Sequence, residues 1–420
     1  MGWGKEGSAM NKMNAEPARE VVALDDVRDA REAIRGKVIR TPLVYSPMLS
    51  AATGAEVHLK LENLQKTGSF KIRGATYKVH KLLREQAGIG GVVAGSAGNH
   101  AQGVALAAKE AGLSATIVMP EWASISKQQA TEGYGGEVIL FGQSVTESID
   151  KAKEIARGGK VLIHPYDDAD VMPGQGTIGL EILEDLPDPD MILVPVGGGG
   201  LIGGIASAVK ALRPQTKVTG VQTAACPSAR VSLEKGAPTR VPAQKSIADG
   251  IAVKQTGVLP FQVLQSKVDS IALVDEDQIA AAVLMLLERK KVLAEGAGAV
   301  PLAALLGGKI EVAPGCKVVL VISGGNIDMP LVGRVIRQGL FRHGRIMRLA
   351  VRIDDAPGAL AKLLARVGAM QANVLHIYHD RTGKDLPIFC TRVELELETR
   401  GPEHIEAITR ELQDAGCMLG

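Results

Sequence analysis

Aromatic residues are scarce: 2 Trp, 5 Tyr and 5 Phe among 420 residues. Apolar residues still make up 46% of the chain, so its cores must be packed mainly with Ala, Val, Ile and Leu. Cysteine is rarer still. Cys226, Cys316, Cys390 and Cys417 lie far apart with no C-x-x-C pair, which argues against a disulfide framework and for free thiols in a reducing compartment. No apolar run reaches the roughly 18 residues that a membrane span requires. Neither sign of charge dominates, with 48 Lys and Arg against 46 Asp and Glu, so there is no electrostatic case for nucleic acid or an anionic membrane. Residues 1–19 lack the apolar centre of a secretory signal and any periodicity, and are expected to form a disordered tail. These absences leave a soluble, cytoplasmic chain suited to small-molecule chemistry.

What is present is an alternation of short Val/Ile runs with Ala-rich helical segments, the pattern of helices packed on parallel strands. Val92–Ala94, Ala115–Met119 and Glu137–Phe141 read as strands of one α/β unit, spanning about 60–157. Val57–Leu61, Val161–His164, Met191–Val196, Lys217–Gln222 and Val318–Ile322 read as strands of a second unit that surrounds it in sequence. Together these units are expected to occupy 20–343. From 344 to 420 the order becomes strand–helix–strand–strand–helix with a short last strand, a ferredoxin-like βαββαβ module.

Four segments carry chemistry. Lys71 follows the glycine turn Thr67-Gly68-Ser69-Phe70, a recess in which desolvation can leave an amine neutral and nucleophilic; taken alone, a surface lysine opening a helix is the commoner case. Gly197-Gly198-Gly199-Gly200 lies between a strand and the helix opening at Leu201, where backbone N–H groups can converge on a phosphate. Gly198, Gly200 and Gly203 also satisfy the dinucleotide pattern G-x-G-x-x-G. The acidic residue that pattern needs at the end of the next strand is missing, because Gln222 is followed by Thr223-Ala224-Ala225. Ser96-Ala97-Gly98-Asn99-His100 is a polar loop opening a helix, suited to a carboxylate or to ordinary capping. Ser323-Gly324-Gly325-Asn326 follows a strand, where open α/β sheets present ligand contacts.

An amine, a phosphate cup, a carboxylate loop and a strand-end hydroxyl together fit an amino acid joined to a phosphorylated aldehyde. The segments Glu62–Ala75, Ser96–Gly103, Gly197–Leu201, Ser246–Val253 and Ser323–Asn326 resemble, in order, the signatures of threonine/serine dehydratases of the tryptophan synthase β-like (fold type II) pyridoxal-phosphate enzymes. The resemblance covers about 20–340. It implies pyridoxal 5'-phosphate as cofactor, with Lys71 as its covalent anchor and carrier of the substrate's Cα proton. It further implies that Phe70 packs on the cofactor, that Gly197, Gly198, Gly199, Gly200 and Leu201 hold its phosphate, and that Asn99 meets its ring hydroxyl and Ser323 its pyridine nitrogen. Ser96 with Ala97, Gly98, Asn99 and His100 would bind the substrate carboxylate. The implied activity is conversion of L-threonine to 2-oxobutanoate and ammonia, with L-serine giving pyruvate, in isoleucine biosynthesis or threonine catabolism.

The alternative within the family is a serine racemase or another β-hydroxy amino acid ammonia-lyase. Racemases of this type carry a serine where this chain has Ala97, and acidic metal ligands near the segment occupied here by Gln222–Ser228, which contains no carboxylate. No metal site is expected. His376 and His379 are three apart on a strand and so face opposite sides. In the last module, Asp355-Ala356-Pro357-Gly358-Ala359-Leu360 and Asn373 resemble the ligand-side signature of an ACT domain. That implies an amino-acid effector such as isoleucine or valine held by Asp355, Pro357, Gly358, Ala359, Leu360 and Asn373. A homo-tetramer or homo-dimer follows by family analogy.

Overall fold

A computed structural model describes residues 20–86, 88–382 and 386–419. The expected disordered tail, 1–19, lies outside them. One compact unit runs to Ile279 and resumes over Leu293–Asn326; the other takes Ala280–Val292 and the chain from Ile327 onward. No helix among the described residues is long and apolar enough to cross a membrane.

The first unit holds two sheets. The larger has the order Leu43–Tyr45, Glu56–Leu61, Lys317–Ile322, Met191–Pro195, Lys217–Thr223, Ser270–Val274. All neighbours are parallel except the first pair. Met191–Pro195 is buried throughout, as is all of Lys317–Ile322 after its first residue. That explains their unbroken apolar sequences, because a parallel strand is covered on both faces. The helices Val171–Asp185 and Gly200–Leu212 cover the sheet with Ile178, Ile182, Ile202 and Ile205, all buried against Ile192 and Val194.

The smaller sheet has the order Gly136–Leu140, Ala115–Met119, Val92–Gly95, Val161–Leu162, all parallel. Here the structure corrects the sequence reading. The sequence pattern assigns Val161–His164 to the surrounding unit, yet Val161 and Leu162 pair with Val92 and Val93, and Ile163 N–H donates to Val93 O at 2.9 Å. The insertion therefore closes after Ile163, and the glycines at 158 and 159 are a turn within it. Two paired residues are too short a run to reveal their partner by periodicity. The half-buried strand Ser270–Val274, at the far edge of the larger sheet, is an addition to the strands read from the sequence.

The second unit contains an antiparallel sheet ordered Asn373–Asp380, Cys390–Glu398, Ile346–Asp354, Met418–Leu419. The helices Ala359–Ala369 and Pro402–Asp414 bury Leu363, Val367, Ile408 and Leu412 in one cluster with Val351, Val393 and Leu395. This is the βαββαβ order read from the sequence. The compact unit is larger than that module, since it also takes the helix Met329–Arg342, whose Arg337 reaches Glu396 at 2.6 Å.

Candidate active site

Lys71 opens the helix Lys71–Glu85. Its Nζ is half-buried, donates to the Pro165 carbonyl at 2.7 Å and lies 5.1 Å from the centre of the Phe70 ring. Burial pushes its pKa down to about 8, against an upward pull from the charge of Glu295. Lys71 does open a helix, but it is not the surface lysine that is the commoner case, since its amine is drawn into the protein. It keeps a far larger neutral fraction than an exposed lysine, which is what a nucleophile toward a carbonyl needs.

Behind Lys71 the helix is anchored by buried ions. Arg73 donates from Nε and Nη2 to both oxygens of Glu62 at 2.8 Å, and from Nη1 and Nη2 to Glu181 at 2.6 and 2.9 Å. Lys60 reaches the same Glu181 at 2.5 Å, and Thr41 donates to Glu62. Two carboxylates face two cations, so the cluster is neutral overall and its polar atoms are paired. It fastens the strand Glu56–Leu61 and the helix Val171–Asp185 to the helix that carries Lys71.

The glycine tract forms the expected strand-to-helix cup. Gly199 has φ +97°, open to glycine and strained for other residues, and the helix Gly200–Leu212 begins after it. The first N–H groups of that helix have no partner within it and carry the positive end of its dipole. The Tyr166 ring packs over Gly198, where a Cβ would lie 2.3 Å from it. Since the preceding residue, Pro165, accepts from Lys71, the cup and the amine adjoin one another.

Ser96 follows the strand Val92–Gly95, and its Oγ accepts from Gly98 N–H at 3.3 Å. Asn99 then opens the helix Asn99–Glu110. The His100 ring is buried and bonded through Nε2 to Ile163 O at 2.8 Å. Burial, with a smaller contribution from Lys71's charge, holds its pKa near 3. His100 is thus neutral, its ring is already engaged, and only its backbone N–H is available to a carboxylate. Ser323 is 2% exposed, and its carbonyl accepts from Phe70 N–H at 3.1 Å. Asn326 joins the loops, donating from Nδ2 to Asn99 Oδ1 at 2.7 Å and to Thr67 O at 2.8 Å. The four segments singled out in the sequence thus meet at the C-terminal ends of parallel strands.

Three participants carried no signal that assigned them a place. Tyr166 is an isolated aromatic, and Asn326 sits in a noticed motif without a role. Glu295 is a buried carboxyl that accepts from Asn99 Nδ2 at 2.8 Å, 196 residues away in sequence. Only the fold brings it there.

In the second unit, Asp355, Pro357, Gly358, Ala359 and Leu360 line one side of a cavity of about 400 Å³, faced by His379 and Arg381. His379 Nε2 is buried with no hydrogen-bond partner among the described residues. Asn373 does not join them. It opens the strand that ends at Asp380, and its amide donates to Glu398 at 3.3 Å. Seven strand steps of about 3.3 Å each separate it from the turn's end of the sheet, so one chain cannot use both.

Residues 34–324 match the family described as "Pyridoxal-phosphate dependent enzyme". The L-threonine ammonia-lyase of Thermotoga maritima is 50% identical over 393 residues, covering 93% of this chain and 97% of that protein. A match of that length cannot fit within the first 326 residues, so it reaches into the second unit. Among solved structures, a T.th. threonine deaminase aligns with TM-score 0.68 at 40% identity, covering 73% of this chain and 99% of its own. Maize serine racemase aligns with TM-score 0.71 at 36% identity, covering 77% and 99%.

Proposed function

The chain belongs to the pyridoxal-phosphate-dependent enzymes, and on that footing we propose that it is a threonine ammonia-lyase, converting L-threonine to 2-oxobutanoate and ammonia and L-serine to pyruvate. The observation that carries this is the half-buried amine of Lys71, shifted to about 8 and set beside the glycine cup. The donor set fits the cofactor: a nucleophilic amine for its aldehyde, helix N–H groups of Gly197–Leu201 for its phosphate, the Asn99 amide for its ring hydroxyl and the Ser323 hydroxyl for its ring nitrogen. When bound, the cofactor supplies an electron sink conjugated to the substrate's Cα.

With the cofactor bound, Lys71 would be the residue that anchors it, and its Nζ, as a free amine, would take the substrate's Cα proton. Ser96 and the N–H groups of Ala97–His100 hold the substrate carboxylate and thereby aim the Cα–H bond at the lysine. Ser323 offers a hydroxyl, not a carboxylate, so it does not hold a proton on the ring nitrogen. Charge at Cα is then better discharged by losing the β-hydroxyl than by being stored. Ala97 has no hydroxyl with which to protonate the far face of Cα, which favours elimination over racemisation.

The test is a threonine turnover assay on the yellow protein, with borohydride bleaching its colour and peptide mapping placing the pyridoxyl group on Lys71. Label on another lysine would overturn the site. With L-serine, pyruvate should form faster than D-serine, and Ala97→Ser should raise the D-serine share; chiral chromatography showing racemisation dominant in the unaltered enzyme would reverse the choice.

The cavity beside Asp355–Leu360 is the proposed effector site of an ACT domain, taking isoleucine or valine. The Arg381 guanidinium, the Asp355 carboxylate and the unpartnered His379 Nε2 match the charged ends of an amino acid, and Ile353 and Leu360 its aliphatic side chain. Inhibition there would fit a biosynthetic role in the cytoplasm, with the enzyme working as a homo-dimer or homo-tetramer.

A further inference from the structure

Glu295 is 6% exposed and precedes the helix Gly296–Leu306 as its N-cap. Its N–H donates to Gly324 O at 3.0 Å, and its Oε1 accepts from Asn99 Nδ2 at 2.8 Å. The meeting requires a glycine at 324, where a Cβ would lie 2.5 Å from Glu295 Oε1 and 3.2 Å from Asn99 Nδ2. On the other side of the amide, Asn326 Nδ2 donates to Asn99 Oδ1 at 2.7 Å. Both ends of the Asn99 amide are therefore engaged. Reversing it would set oxygen against the Glu295 carboxylate and one NH₂ group against another. One hydrogen on Nδ2 remains for a further acceptor.

We propose that Glu295 and Asn326 are a pair of positioning residues that hold Asn99 as a donor toward the ring oxygen of the bound cofactor, with Glu295 the adjustable member. This rests on the cofactor reading above. Ionised, Glu295 only accepts and bars the reversed amide; protonated, it can donate, and the bar weakens. The groups that face it come from several elements. Burial first, then Asp249 on the turn Asp249–Ile251, raises its pKa to about 7; the Asn99 hydrogen bond, Lys127 on the helix Ile125–Gly133 and Lys71 oppose the rise. The proton is thus exchanged in the neutral range, above the ordinary carboxylate value of about 4.3.

Hydrogen bonding at the ring oxygen sets the cofactor's visible absorption, so the test is spectroscopic. The holoenzyme is titrated from mildly acid to mildly alkaline pH while its visible band is followed, and cofactor retention is measured by equilibrium dialysis. The unaltered enzyme should show a spectral transition in the neutral range. Glu295→Gln should lack that transition and release cofactor about tenfold more readily, the scale of one hydrogen bond to a charged group. Asn326→Asp, which turns an acceptor toward Asn99 Oδ1, should displace the band at every pH. A merely structural role would change retention without removing the transition. Glu295→Gln with the same midpoint as the parent would overturn the proposal, and if that variant does not fold, an unmoved band in Asn326→Asp would do so. A parent protein with no visible band at all would overturn the cofactor reading itself.

Discussion

The surroundings of Lys71 and the cavity beside Asp355 are built differently. Around Lys71 the charged and amide groups that mount the site are engaged before any ligand arrives: Arg73 is paired with Glu62 and Glu181, and Asn99 with Glu295 and Asn326, while the Thr67 and Ser69 hydroxyls are buried without a partner among the described residues. Around Asp355 the cavity is walled by a turn, an exposed ion pair between Arg381 and Asp355 at 2.9 Å, and a histidine nitrogen without a partner among the described residues. The first arrangement suits chemistry, where groups must be fixed in advance of the transition state. The second suits a ligand whose arrival completes the bonding, the condition for an effector to favour one state over another.

The comparison breaks most readily at Lys71. Lys71→Ala should lower threonine turnover by about 10³-fold or more, the scale of losing a positioned proton carrier and covalent anchor together, while calorimetry should still detect isoleucine binding. If the substitution abolished isoleucine binding as well, the two sites would not be separate.

Next in size is the ion cluster. Arg73→Leu leaves two carboxylates buried against one lysine and should cost about 3–5 kcal/mol in urea unfolding. A loss under about 1 kcal/mol, the range of an exposed pair, would mean that the cluster is hydrated and not the mount described here. The same cluster sets an acid limit. Burial alone would raise the Glu62 pKa, but the charge and hydrogen bonds of Arg73, then Lys60, outweigh it and hold it below the ordinary value. A depressed carboxyl contributes its full stability above its unfolded pKa and loses it as pH falls through the folded one. Unfolding midpoints measured down a pH series should therefore drop below about pH 4.3, and Glu62→Gln should flatten that part of the slope.

The smallest change in stability belongs to the second site. Arg381→Ala removes an ion pair between half-exposed side chains and should alter stability by less than about 1 kcal/mol, yet it should abolish the heat of isoleucine binding. Unchanged binding would remove Arg381 from the site.

What could be read from the sequence was what is local in it. The glycine cup, the Ser96–His100 loop and the turn before Lys71 are contiguous tracts whose chemistry is set by neighbours in the chain, so their foci were legible. The βαββαβ order of the C-terminal module was legible too, because its strands and helices follow one another in short segments separated by turns such as Asp355–Gly358. Long-range pairing was not. Glu181 lies 108 residues from the Arg73 it neutralises, and nothing in the helix around it marks one glutamate as buried. Val161–Leu162 could not announce its return to the smaller sheet, and Asn373 lies on the strand that runs to the cavity beside Asp355 but sits at its far end.

The parallel pairing of Glu56–Leu61 with Lys317–Ile322 also governs how the molecule comes into being. One partner of this central ladder emerges from the ribosome long before the other. At about 5–20 residues per second, the earlier strand waits on the order of tens of seconds with the backbone N–H and C=O groups of one edge unpaired. The smaller sheet, whose strands lie closer together in the chain, can be complete well before then. Assembly of the larger sheet is the slow, high-contact-order step, and all four residues of the Lys71 helix's mount, Lys60, Glu62, Arg73 and Glu181, have been synthesised before the strand that leads to Ser323.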